Sequence, residues 1–137
     1  MTAIALVTTG RVRVVESFIQ MTAPLAESLA VGDMVRIDTS TGKFTGANAS
    51  SAGEARQYGM LVSKDGAGAV GTAIRKGVVD GFALSALDYD APVYLSDTDK
   101  TIADAAGTVT TAIVGRVIPG FATTLGTAAD KLLFIDL

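Results

Sequence analysis

The stretch Gly77–Lys100, GVVDGFALSALDYDAPVYLSDTDK, decides how the chain is read. Val78 and Val79 end an extended run, Asp80-Gly81 marks a turn, and Pro92-Val93-Tyr94-Leu95 has strand character before Ser96-Asp97-Thr98-Asp99 closes it. The segment has an echo upstream. Gly32–Thr39 (GDMVRIDT) aligns with Asp90–Asp97 (DAPVYLSD), setting Val35 on Val93 and Ile37 on Leu95. Tyr58-Gly59-Met60-Leu61-Val62 aligns in the same way with Val114-Gly115-Arg116-Val117-Ile118. Each half reads strand, polar turn, Ala-rich spacer, then a Gly-led apolar strand, so two related β units are expected.

Working outward, Thr2–Gln20 is rich in Val, Ile and Thr and is interrupted at Thr9-Gly10, which predicts extended segments over Ala3–Val7 and Arg11–Gln20. By strict alternation Val12, Val14 and Phe18 share one side of the second segment, and Val15 and Ile19 the other, beside Arg11 and Arg13. A strand apolar on both sides expects two partners. Residues 1–20 are therefore read as an extended N-terminal arm or edge, pairing either with the body of its own chain or with another chain by strand addition. Residues 21–137 are read as one β domain. Met21–Ala30 is expected to be a linker, and Gly46–Gly53 (GANASSAG) a loop too small and polar for the core. Further strands are expected at Met34–Asp38, Arg56–Ser63, Thr72–Val79, Ala91–Ser96, Thr108–Pro119 and Lys131–Leu137. Lys64–Gly71 reads as a glycine-rich turn, Phe82–Asp88 as a single helical turn, and Asp97–Gly107 and Gly120–Asp130 as loops. The class is all-β: a small β-barrel or compact sandwich built from the two units.

Composition narrows the function. At 137 residues the chain makes one domain that needs no covalent staple. It has no cysteine, histidine or tryptophan, which removes disulfides, thiol nucleophiles and the commonest zinc and iron ligands. The formal charge of −3 gives no uniform basic footprint for nucleic acid. Residues 1–76 nevertheless carry eight Lys/Arg against six Asp/Glu, and residues 77–137 three against eight. That split fits either a two-faced surface or chance clustering on a solvated one. No apolar run reaches the roughly 18 residues of a membrane span. Met1–Val7 lacks the basic start of a signal peptide, so synthesis in a cytoplasm is expected.

Candidate chemistry is sparse. Asp97 and Asp99, with Asp104 nearby, and the pair Asp88 and Asp90 are the densest carboxylates. They lack calcium-loop spacing, and turn capping is the expected role. No Gly-x-Ser-x-Gly occurs, and no histidine is present to serve as base. The segment Lys64–Gly71 lacks the Gly-Lys-Ser/Thr ending of a phosphate loop. No enzyme and no cofactor is expected, and a binding or structural part is.

The runs Gly77–Gly81, Asp90–Asp99, Ile113–Gly120 and Asp130–Leu137, with Val31–Asp38 and Tyr58–Val62 upstream, resemble the capsid cement (decoration) proteins of tailed bacteriophages. The likeness covers roughly residues 30–137. It implies a β-rich, commonly homotrimeric protein made in the bacterial host and carried on the outer capsid surface of the virion. There it would lock neighbouring copies of the major capsid protein together, without direct nucleic-acid or membrane contact. On this reading Arg11 and Arg13 pair with acids of the capsid, and Val12, Val14 and Phe18 are apolar anchors. The rival expectations are a glycan-binding β module of a phage fibre, with Tyr58, Tyr89 and Tyr94 as its only tyrosine platforms, and a hydrolase using Asp97 and Asp99.

Overall fold

The computed structural model describes residues 2–65, 69–120 and 131–137. Their strands are β1 (Ala3–Ile4), β2 (Arg13–Pro24), β3 (Met34–Ile37), β4 (Phe44–Gly46) and β5 (Gln57–Lys64), then β6 (Val70–Asp80), β7 (Pro92–Leu95), β8 (Ile102–Ala103), β9 (Ile113–Pro119) and β10 (Lys131–Asp136). Among the described residues there is no helix. The strands run in the order β1-β8-β7-β9-β10-β6-β5-β3-β4, with β2 laid along the other edge of β6. Among the described residues the ends of this path do not pair, so the sheet folds over as a compact sandwich and does not close into a barrel.

The order is a palindrome: β8-β7-β9-β10 from one side repeats β4-β3-β5-β6 from the other. The two units agree residue by residue. Val35 faces Gly59 and Val93 faces Gly115, and each pair is followed by a register shift that sets Arg36 against Gln57 and Tyr94 against Ile113. Ile37 faces Phe44 as Leu95 faces Ile102. The turns agree as well. Asp38 N donates to Lys43 O at 2.8 Å and Ser96 N to Thr101 O at 3.0 Å. Gly42 at φ 71° corresponds to Lys100 at φ 69°, and Gly32 at φ 98° to Asp90 at φ 64°. Lys100 and Asp90 thus hold left-handed conformations that glycine adopts at little cost.

The surroundings of the units differ. Val35, Phe44, Leu61 and Ala73 form the buried cluster of the first, covered by Ala23 and Leu29. Their counterparts Val93, Ile102, Val117 and Leu133 belong to the larger core. Into that core the first unit also turns its opposite face, with Met34, Met60 and Ile74 fully buried. The matching positions in the second unit, Pro92 and Arg116, are exposed, and Phe134 is half-buried.

Several expectations are corrected. Strand β2 does not stop at Gln20: Met21 pairs with Ala73 and Pro24 with Val70, and the segment beyond covers the first unit instead of serving as a linker. In Gly46–Gly53, Ala47, Asn48 and Ala49 are buried, because small side chains let the two units interlock there. Ala47 N donates to Met34 O at 3.0 Å, Ala49 N to Ser96 O at 2.8 Å and Lys100 N to Ala47 O at 2.8 Å. Asp97–Gly107 contains β8, whose Ile102 and Ala103 are buried. Phe82–Asp88 forms no helical turn, only a reverse turn closed by Leu87 N to Leu84 O at 3.0 Å. Of the turn Lys64–Gly71, residues 66–68 lie outside the described residues, as do residues 121–130 of the last loop.

A side chain at Gly59 would collide with the carbonyl oxygen of Ile74, and one at Gly115 with that of Phe134. Gly59→Ala and Gly115→Ala are each expected to cost about 3 kcal/mol or more, through forced strand separation. Gly53→Ala meets nothing within 4 Å and should stay within about 0.5 kcal/mol of the parent. Urea midpoints of the three variants measure this.

Candidate docking interface

Strand β2 is the longest element, at 12 residues. It pairs along β6 in its own chain, from Arg13 against Asp80 to Pro24 against Val70. The arm's inner edge is therefore satisfied in cis, while its outer edge has no ladder partner among the described residues. Val15 and Phe18 are extra residues in this ladder, at shifts between Val14 and Glu16 and between Ser17 and Ile19, and a third shift skips Arg75 of β6. Each insertion restarts the alternation. The grouping of Val12, Val14 and Phe18 on one face is corrected accordingly.

The expected partner residues separate into two sets. Phe18 is 59 % exposed and Val14 40 %, with Ile19 between them at 49 %. These three leave a long, apolar, weakly charged edge open. Val12 instead packs against the core, next to Leu6 and over Gly32. Arg13 donates from Nη2 to Asp80 Oδ2 at 2.9 Å, so its first acid is its own. Arg11, Val12, Arg13 and Asp80 line a cleft of about 610 Å³ beside the start of the strand.

The acidic residues act as ties within the chain. Both Asp97 carboxylate oxygens accept from Thr108 N at 3.1 Å, and Asp97 Oδ2 also accepts from Thr108 Oγ1 at 2.8 Å. Asp99 accepts from Asn48 Nδ2 at 3.2 Å, Asp104 from the Thr2 N–H at 2.7 Å, and Asp90 from Arg116 at 2.9 Å. No group of three or more acids among the described residues is arranged to hold a metal ion. Tyr58 packs on Phe44 with ring centroids 5.7 Å apart and lies under Arg75, while Lys131 sits 5.1 Å from the centre of the Tyr89 ring.

One cluster was not visible in sequence order. Arg36, Arg56 and Arg75 come from β3, the approach to β5, and β6, yet they line one cleft of about 520 Å³. Only the basic excess of residues 1–76 hinted at it.

A charged junction ties the segment after β2 to the second unit. Glu27 accepts from Lys100 Nζ at 2.8 Å, from Thr45 Oγ1 at 2.5 Å and from Gly46 N at 3.2 Å. The Lys100 and Thr45 hydrogen bonds hold the Glu27 carboxyl down at about 2, and Lys100 is raised chiefly by the same pair. Burial pushes Asp33 up. A carboxyl with a lowered folded pKa stabilises above its unfolded pKa and loses that contribution as pH falls. Glu27 therefore contributes fully above the ordinary glutamate value of 4.5, and the contribution disappears as pH falls toward about 2. Because the pair is partly solvated, its size is about 1 kcal/mol or less. Glu27→Gln should lower the melting temperature at pH 7, and the gap to the parent should close between these two pH values, as read by thermal melts across pH. Comparison with protein-family models, with curated proteins and with solved structures returns no match for this chain.

Proposed function

We propose that the chain is a capsid decoration protein, which binds the outer surface of an assembled phage capsid and stabilises contacts between major capsid subunits. The observation that carries this reading is the outer edge of β2. Twelve residues of strand are paired along β6 through three register shifts and present Val14, Phe18 and Ile19 to solvent. Natural sheets keep exposed edges short, charged or bulged. Strand β2 has the bulges, but only Arg13 and Glu16 are charged. A long edge of that kind suits strand addition, in which main-chain hydrogen bonds supply affinity and bulged side chains such as Phe18 supply fit.

The resemblance of residues 30–137 to cement proteins supports the same reading, and with it a homotrimer on the virion surface. A ligand that binds only the expanded lattice stabilises it by mass action. Three linked copies multiply modest contacts by avidity. Such a part works by grip and rigidity, without chemistry or a cofactor.

The test mixes purified protein with bare expanded capsids of the phage that encodes it. Co-sedimentation and a higher temperature of genome release are expected, and neither appearing would overturn the reading. Phe18→Ser should weaken co-sedimentation about tenfold or more while leaving the protein's own melting temperature unchanged, because Phe18 is an exposed, extra residue in its ladder.

A further inference from the structure

We propose that the cleft lined by Arg36, Arg56 and Arg75 is a binding site for an acidic peptide segment of a partner protein, taking carboxylate side chains in extended backbone. The inference rests on this cleft alone, independently of any lattice. Three arginines line it against one carboxylate, Glu54, whose Oε2 already accepts from Ser51 Oγ at 3.1 Å. Among the described residues none of the three arginines forms an ion pair, whereas Arg13 and Arg116 each have one. In an acidic chain of net charge −3 that is an uneven use of cations.

Two of the arginines are also pre-positioned. Arg75 lies 5.4 Å from the centre of the Tyr58 ring and donates from Nη1 to Tyr58 O at 3.3 Å. Arg36 donates from Nε to Gly46 O at 3.2 Å. One donor of each is spent on holding the side chain still, and the remaining fork is left for a ligand. Ordered guanidinium forks match carboxylates in bidentate geometry and lose little further entropy on binding.

Two features favour a peptide over a lone anion. The cleft, about 520 Å³, has the size of sites that enclose a small organic ligand. Its lining mixes the cations with Ile37 and Tyr58, which suits a chain with both charged and apolar parts. Nucleic acid would bring a polyanion against a chain that is acidic overall.

The test uses the full chain, isotope-labelled for NMR, with a capped peptide of alternating aspartate and alanine. A twin with asparagine for aspartate and inorganic phosphate at matched ionic strength serve as the other arms. Saturable shifts at the Gln57 and Tyr58 amides and at the Nε–H signals of the three arginines are expected with the acidic peptide only. Arg56→Gln removes an exposed side chain with no hydrogen bond among the described residues, so the rest of the spectrum should not change. It should weaken binding about tenfold, the usual cost of one charge-assisted contact. The proposal is overturned if the neutral twin moves the same signals equally, if phosphate saturates the site and the peptide does not, or if Arg56→Gln binds as the parent does.

Discussion

The structure depends on two places where backbone must approach backbone without a side chain between. At Gly59 the neighbouring carbonyl is that of Ile74, and at Gly115 that of Phe134. Each glycine sits opposite a valine of its own unit, Val35 or Val93, and each is followed by the same slip in register. The missing side chains at these points let β5 lie against β6 and β9 against β10, and the β6–β10 pairing then joins the units. A third close approach, Gly77 beneath the Glu16 carbonyl oxygen, lets β2 lie flat along the other edge of β6. The arm is stiff because β6 is itself clamped on its far edge.

Equal units nevertheless end in unequal environments. One turns Met34, Met60 and Ile74 into the shared core, and the other shows Pro92 and Arg116 to solvent at the matching positions. Repetition of the backbone is thus compatible with divergence of the surface. Glycine spacing and turn conformation set the first, and side-chain polarity on a single face sets the second. The seam between units is held by small residues, Gly46, Ala47 and Ala49, and by the Glu27–Lys100 pair. Lys100 keeps a left-handed backbone there that its counterpart Gly42 holds as glycine.

Both surfaces put forward for partners draw on β6. It supplies the ladder that holds β2, and it contributes Arg75 at the point where that ladder skips a residue. A bulge re-aims the side chain at which it occurs, and here it accompanies a guanidinium placed over Tyr58. The proposed edge-strand docking and the proposed acidic-peptide site therefore share strand β6.

Legibility followed the range of the constraint. The all-β class, most strands and the correspondence of Val35 to Val93 and of Gly59 to Gly115 were readable, because turn residues and glycine spacing act over a few positions. The burial of Ala47, Asn48 and Ala49 was not, since small residues look alike whether they face water or a neighbouring strand. The faces of β2 were misassigned because period-two counting assumes a regular ladder, and Val15 and Phe18 break it only in the presence of β6. Arg36, Arg56 and Arg75 stand far apart in the chain and meet only after β3, β5 and β6 are laid side by side. By itself the sequence determined a twice-used β unit with glycines at its tightest points, because that choice is made by local backbone sterics. Only the tertiary structure decided that the sheet stays open, which copy faces inward and which charges converge, because each of these is settled by contacts between strands distant in the chain.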